Sequence, residues 1–440
     1  MIAFVVGLLL IMLLVGGIGV DVMRQEMLRA RIQTTLDRAI LAAADLDQQR
    51  DPKQVVQNYF DRANLGQYLS DIKVEEGSSF RIVTASATTE MKTQFLGTIG
   101  FPTFTVSTHG QAQESIGDAE ISLVLDISGS MGWNNKMSRL RTAAKEFVDT
   151  VILDETQGAA SLTVIPYTSQ VNAGAGIFDK LNITRKHAFS SCVLFENEDF
   201  QETAITTTKE YVHGEHFELY GTGNGTIGNP SCPMRSYEEI QPFQQNATAI
   251  KNKISQFQAR ANTSIHIGMK WGVAMVDPAM RPVVTGLIAD GVVDSDFAGR
   301  PTDYGSTALK TIILMTDGEN YTTYGVRPQA YGTPSQRYHW HRHALIDWVE
   351  DNVDDNLHDE FYYVRSTPTN SDNLLDDLCD KAKEKGILIW GVGFEVSNHG
   401  AGVIENCASS PSHFFRVEGV EISEAFKSIA RQLNQLKLTQ

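Results

Sequence analysis

The chain reads as an α/β protein built on a doubly wound, mostly parallel sheet, preceded by an N-terminal transmembrane helix and a small α+β segment. Three observations carry that reading. From residue 119 onward, short runs that are apolar on both faces alternate with amphipathic helical stretches, the pattern of parallel strands covered by helices on both sides. Residues 1–20, MIAFVVGLLLIMLLVGGIGV, contain no charged side chain and are long enough to cross a bilayer as a helix. Between these regions lie β-branched, alternating stretches with the texture of strands.

Taken in order, the apolar run lacks a basic n-region and a small-residue cleavage site, so it reads as an anchor and not as a cleaved signal peptide. It opens abruptly, and a short basic leader is expected ahead of it. After it, RQEMLRARIQTTLDRAILAAADLDQQ sets Met27, Leu28, Ile32, Leu36, Ile40 and Leu41 at helical spacing. The span is therefore expected to continue outward as one long amphipathic helix until Asp51-Pro52 breaks it. FRIVTASATT and FPTFTVSTHGQAQ read as strands. Residues 21–118 are thus an extended helix followed by a small sheet, pilin-like in outline.

In residues 119–440, ISLVLD, SLTVIPYTS, KTIILMTD and ILIWGVGFEV read as strands. KMSRLRTAAKEFVDTVIL, SIHIGMKWGVAMV, NLLDDLCDKAKEKG and EISEAFKSIARQLNQL read as the helices between and after them, with Trp271 and Met275 on a core-facing stripe. Two inserts interrupt the alternation: 173–262, rich in Gly, Asn and Thr, and 319–372, rich in Tyr, His and Asp. Connections this long are functional or structured in their own right.

Charge and motifs exclude several functions. A formal net charge of −16 argues against nucleic acid as a partner, because phosphate binding needs a basic patch. There is no G-x-x-x-x-G-K-[ST], so the chain is not an NTPase by itself. SGSMG resembles a nucleophile elbow, but Ser128 stands where the first glycine belongs and no triad partners can be assigned. The chain is read as a non-enzyme with no small-molecule substrate. The histidines of HGEH (His213, His216) and HWHRH (His339, His341, His343) lie in polar inserts without an H-E-x-x-H motif, and are expected to be solvated loop residues. The acidic stretch Glu350–Glu360 fits no EF-hand and reads as a solvated face.

One constellation does carry chemistry. LVLD ends at Asp126 and runs on into Ser128 and Ser130, IILMTD ends at Asp317, and ANTSIHIG supplies Thr263. Ligands of a doubly wound sheet sit outside the carboxyl ends of its strands, so all five residues are expected at one edge. All present hard oxygens, with no sulfur or imidazole, which suits Mg²⁺, with Mn²⁺ or Ca²⁺ as substitutes. A cation held largely by hydroxyls stays electrophilic and can accept an incoming carboxylate, which is adhesion through a metal and not bond breaking.

The cysteines and the basic residues point in opposite directions. Cys192 and Cys232 fall in the first insert, and Cys379 and Cys407 near the C-terminus, which suits two local disulfides in an oxidising compartment; four unrelated buried thiols is the other reading. Arg24, Arg29 and Arg31 follow the span, and by the positive-inside rule they would hold the body in the cytoplasm.

At DISGS, Thr263 (five residues before Gly268) and TDG, the sequence resembles the von Willebrand factor A family and its D-x-S-x-S metal-ion-dependent adhesion site, or MIDAS. By that resemblance Ser128, Ser130 and often Thr263 touch the metal directly and the aspartates act through water. A wider resemblance covers most of the chain. GVDVMRQEMLRARIQTTLDRAILAAA looks like the start of the TadE/TadG proteins of Tad (Flp) pilus systems. SIHIGMKWGVAMVDPAMRP, LCDKAKEKGILIWGVGFEV, ENCASSPSHFF and LNQLKLTQ look like the von Willebrand A region of the TadG type. The resemblance implies a bacterial inner-membrane protein with a single pass and its body in the periplasm, or a pilus- or surface-associated one. It implies pilus subunits, other Tad envelope proteins or an external surface ligand as partners. It also favours pairing Cys379 with Cys407 and, by proximity, Cys192 with Cys232. Two functions follow from it: a metal-dependent adhesion or assembly component, or a structural envelope protein whose metal only stabilises and whose inserts make the contacts.

Overall fold

A 43-residue helix, α1 (Ile2–Ala44), opens the chain in the computed structural model, which describes residues 2–439 apart from 46–47, 49, 77–79, 116, 154–156 and 222–225. The apolar first half of α1 leaves most of its side chains uncovered, whereas the second half buries Ile32, Leu36 and Ile40 along one stripe. The sequence expects this helix to reach Asp51-Pro52. Instead it ends at Ala44, with residues 46–47 and 49 of the expected helix lying outside the described ones. Asp51-Pro52 begins a new helix, α2 (Pro52–Arg62), for a physical reason: the Asp51 carboxylate accepts the Lys53 N–H at 2.9 Å, and Pro52 occupies the first turn, where its missing N–H costs nothing. Three antiparallel strands complete this unit, β1 (Leu69–Glu76), β2 (Phe80–Lys92) and β3 (Thr103–Ser115), in the order β1-β2-β3. Val83, Ala85 and Val106 from the sheet close over Ile32, Leu36, Ile40 and Phe60 to form its core.

The chain divides into two units, Met1–Ile116 and Gly117–Gln440. The second starts with β4 (Ala119–Asp126), α3 (Lys136–Val151) and β5 (Ala160–Tyr167). The first insert follows, with α4 (Gly174–Phe178), β6 (Asn182–Ile183), β7 (Val193–Leu194), β8 (Glu210–His213), β9 (Gln241–Gln244) and α5 (Ala247–Ser255). The frame resumes with α6 (Ile265–Ala274), α7 (Arg281–Ala289) and β10 (Leu309–Thr316). The second insert holds β11 (Thr323–Val326), α8 (Pro328–Tyr331), α9 (Pro334–Trp340), α10 (Leu345–Asn352) and β12 (Tyr362–Ser366). α11 (Pro368–Glu384), β13 (Leu388–Phe394), α12 (Asn398–Cys407), β14 (Phe414–Val417) and α13 (Glu421–Thr439) close the unit.

Among the described residues the main sheet has six strands in the order β14-β13-β10-β4-β5-β9, all parallel except β9, which pairs antiparallel with β5 at one edge. Neither β9 nor β14 is signalled by the sequence: each has four residues, too few to show a period, and β9 contains a proline. Every residue of β4, β5 and β10 is buried, as expected of strands covered on both faces. On one face Leu123, Leu125 and Ile313 pack with Phe147 of α3, Ile250 of α5 and Phe426 of α13. On the other, Val124, Ile312 and Leu314 pack with Trp271 of α6 and Leu375 of α11. Trp271 and Met275 are core residues, as read from the sequence. Disulfides join Cys192 to Cys232 and Cys379 to Cys407.

Two of the five histidines overturn the solvated-loop reading, while His339, His341 and His343 are half-buried. His213 and His216 are 1% and 0% exposed, and with His187 and His341 they form one aromatic cluster around Phe189. His216 Nε2 lies 3.0 Å from His341 Nδ1, so a single proton bridges the first insert to the second. Phe189 stacks on His341 with ring centroids 4.1 Å apart. The polar neighbours in the sequence concealed this: His213 packs on Phe178 and His187 of its own insert, and His216 meets Tyr331 and His341 of the other. The rings of the cluster stack on and hydrogen-bond to one another.

Burial holds His213 at about 4 and His216 at about 3, well under the ordinary imidazole. Both must stay neutral in the native state but protonate in the unfolded chain. Their contribution to stability is therefore complete above about pH 6.5 and is lost as the pH falls from there towards 4, by up to roughly 1.4 kcal/mol per pH unit for each. Denaturant midpoints recorded from pH 7.5 to pH 4.5 should fall accordingly, and His216→Leu should flatten the curve. A curve unchanged by that substitution would remove His216 from the account.

Candidate metal centre

The site forms where the strand order reverses. From β4 the chain moves to β5 on one side, then returns to place β10 on the other side of β4, which leaves a crevice beyond the carboxyl ends of β4 and β10. Asp126 is the last residue of β4, and Asp317 follows the last residue of β10. Both are buried.

Three loops are zipped together there by backbone hydrogen bonds. Gly129 N–H donates to Ala261 C=O (2.9 Å), Arg260 N–H to Ile127 C=O (2.9 Å) and Tyr321 N–H to Thr263 C=O (2.9 Å). The loops after β4, before α6 and after β10 thus form one rigid floor, and the five oxygen-bearing residues read from the sequence project from it. Ser128 Oγ lies 3.1 Å from Ser130 Oγ, and Ser130 Oγ donates to Asp317 Oδ1 at 2.6 Å. Asp126 accepts the Ser128 N–H at 2.7 Å on one oxygen and the Thr316 hydroxyl at 2.7 Å on the other. Thr263 joins through Gly318: a Cβ on that glycine would stand 3.7 Å from Ser130 Oγ and 3.8 Å from Thr263 Oγ1, so both hydroxyls flank one point of the backbone. Asp126 and Ser128 lie deepest, while Ser130 is half-buried and forms the side nearest solvent.

Several residues that hold the site were not read from the sequence. Lys136, the first residue of α3, donates to Asp317 Oδ2 at 3.0 Å and lies 4.0 Å from Glu395. Its sequence context shows only an amphipathic helix. Thr316 positions Asp126, and Tyr167 at the end of β5 runs beneath the site, its hydroxyl donating to Met315 C=O at 3.1 Å. That ring fits because residue 268 is glycine, where a Cβ would be 2.7 Å from the Tyr167 ring. Asn320 ties the third loop to the helix behind it: its Oδ1 accepts the Ile265 N–H at 2.7 Å, and its amide donates to Asp372 at 2.8 Å.

The electrostatics suit a cation. Burial, and then the neighbouring Asp317 carboxylate, push the Asp126 carboxyl up to about 7. Lys136 is one positive charge against the two buried carboxylates. A donor set of two carboxylates and three hydroxyls, with no imidazole or thiolate, fits a hard divalent cation better than zinc or copper.

Residues 1–46 match the Tad family, described as Flp pilus-assembly TadE/G-like, so the N-terminus carries a TadE/G-like domain. No curated protein matches the chain. Among solved structures, the vWF domain of the type V pili tip protein Mfa5 from Porphyromonas gingivalis is 13% identical, over 73% of this chain and 96% of that one, with a TM-score of 0.37. The pilus adhesin SpaC from Lactobacillus rhamnosus GG is 12% identical over 82% of this chain and 34% of its own, with a TM-score of 0.33. Proximal thread matrix protein 1 from the mussel byssus, with a zinc-occupied MIDAS motif, is 13% identical over 74% and 49%, with a TM-score of 0.32. The chain thus spans about a third and about half of the last two proteins. The strand order and the side-chain geometry described above stand independently of these likenesses.

Lys136→Met removes the one cation from a buried pair of carboxylates, and breaking such a pair costs about 3–5 kcal/mol. Chemical denaturation in EDTA should register a loss of that order. A loss under about 1 kcal/mol, the worth of an exposed pair, would mean that Lys136 is solvated.

Proposed function

We propose that this chain is a membrane-anchored, metal-dependent adhesion or assembly component of a Tad (Flp) type IV pilus system, with Mg²⁺ as the metal and Mn²⁺ or Ca²⁺ as substitutes. The observation that carries the reading is the pair of buried carboxylates at the switch point of the sheet, ringed by Ser128, Ser130 and Thr263 and nearest to solvent at Ser130. The three hydroxyls and the charge of Asp126 and Asp317 would hold the ion. A hard divalent cation bound there supplies an electrophilic position for a partner's carboxylate. The protein's own part is to keep the floor rigid through the backbone bonds between its three loops, and to present few anionic ligands, so that the charge is left unsaturated.

The TadE/G-like N-terminus supports the pilus assignment, and the apolar, uncovered first half of α1 supports a single-pass anchor. The two disulfides suit an oxidising compartment, so the body is assigned to the periplasmic side of the bacterial inner membrane, or to the pilus or cell surface. Pilus subunits, other Tad envelope proteins or an external surface ligand are the partners.

A second reading is favoured by Lys136, which already partly neutralises Asp317 without any metal. In that reading the chain is a structural envelope protein, its metal only stabilises the fold, and its inserts make the contacts. Pull-down of purified pilus subunits by the full chain in nanodiscs, with Mg²⁺ or EDTA, separates the two. Metal-mediated adhesion predicts that Ser128→Ala/Ser130→Ala and EDTA each weaken capture by roughly tenfold or more, about 1.4 kcal/mol, with the chain still folded at the assay temperature. Capture indifferent to both would overturn the metal mechanism and leave the structural reading.

A further inference from the structure

We propose that the β2–β3 loop, TQFLGTIGFP (residues 93–102), is a second membrane contact, lying in the boundary between headgroups and acyl chains beside α1. The proposal rests on reading residues 1–20 as a bilayer span.

Three observations carry it. The first is height. Asp21 is the first charged residue of the chain and follows a 20-residue apolar stretch, about 30 Å of helix, which is the thickness of a bilayer core. The loop is fastened at that level. One Asp21 oxygen accepts the Gln94 N–H at 2.9 Å, and the other accepts the Phe95 and Leu96 N–H groups at 2.8 and 2.9 Å. Phe95 lies one turn deeper, against Gly17, where a Cβ would stand 2.5 Å from the Phe95 ring. The loop is therefore pinned to α1 at the end of the span and cannot sit far from the membrane surface.

The second is composition. The twelve residues from Thr93 to Phe104 contain no charged side chain. Phe95, Ile99 and Phe101 are 45%, 44% and 62% exposed, while Leu96 is turned inward. Three large apolar side chains uncovered on one loop, next to a helix that is itself apolar and uncovered, continue the surface of the span. They are not a scatter of single residues of the ordinary kind.

The third is the backbone. Irregular chain at membrane depth is tolerated only when its polar groups are paired. Here Asp21 takes three N–H groups. Thr93 N–H donates to Pro102 C=O, Thr98 N–H to Phe95 C=O and Phe101 N–H to Leu96 C=O, at 3.0–3.1 Å. The two threonine hydroxyls turn inward as well, Thr93 onto Phe101 C=O and Thr98 onto Phe95 C=O, at 2.6 Å each. Such a loop loses little on leaving water. Its aromatic residues suit the interface, where rings concentrate in membrane proteins.

The test uses the full chain in nanodiscs at one chain per disc. Among the described residues no cysteine is free, so Ile99→Cys and Phe101→Cys can each be labelled with an environment-sensitive fluorophore and read against nitroxide-bearing lipid. Leu13→Cys marks the span, and Glu75→Cys on β1 marks water. The expected result is blue-shifted, lipid-quenched emission at positions 13, 99 and 101 and neither at 75. Adding Asp21→Ala, which removes the fastening, should reduce quenching at 99 and leave 13 unchanged. Quenching at 13 with 99 and 101 behaving like 75 would overturn the loop proposal and keep the anchor. An unquenched label at 13 would overturn both. A blue shift at 99 and 101 that requires two chains per disc and shows no lipid quenching would assign the loop to a second copy, which also overturns it.

Discussion

Two carboxylates that must share one buried place organise the C-terminal unit. Parallel neighbours β4 and β10 end at nearly the same level, so Asp126 and Asp317 are brought side by side, where burial and then the Asp317 carboxylate raise the cost of charging Asp126. Left alone, that arrangement is unfavourable. Its surroundings answer it with donors: the Ser128 N–H and the Thr316 hydroxyl on Asp126, the Ser130 hydroxyl and the Lys136 ammonium on Asp317. The three loops around these donors are in turn locked by backbone bonds, and Gly268 leaves room for the Tyr167 ring beneath them. Site and fold are one construction, because moving any strand end would separate the charges from their partners.

Much of this was legible in the sequence because the relevant signals are local. A buried strand that stops at Asp126 and runs into Ser128 and Ser130 states both the element and the edge at which the chemistry lies, and KTIILMTD does the same for Asp317. What stayed hidden depends on contacts between distant segments. The role of Lys136 arises only when α3 starts beside the end of β10. The edge strands β9 and β14 are too short to show a period and exist because a long neighbour offers unpaired backbone. Asp51-Pro52 is a break by composition and a helix start by geometry, since the same two residues that end one helix can cap the next.

The inserts illustrate the same point with an electrostatic consequence. Long polar stretches ordinarily lie over a surface, yet these two bury against each other around Phe217, Tyr331, Trp340 and Leu345, forming a small core of their own. Arg365 of the second insert clasps Glu215 of the first through both carboxylate oxygens, at 2.8 and 2.9 Å. Imidazole is well suited to the seam between them: neutral, it donates one hydrogen bond and accepts another, so His216 and His341 can face each other in a buried space with no counter-ion. In a chain of net charge −16, aromatic rings that carry no charge at neutral pH let polar inserts be buried without adding to the repulsion.

Because Tyr321 and Ala261 are bonded directly into the floor beneath the five oxygen-bearing residues, the inserts begin at the site and are not appended at a distance. The first insert ends at the residue before Thr263, and the second departs two residues after Asp317. On the metal-dependent reading proposed above, a cation held there would accept any accessible carboxylate, and walls rooted in the same loops would decide which one can approach. Ser169, Asn262 and Thr323 at their roots line one cavity together with Gly214, Glu215 and Arg365 of the inserts.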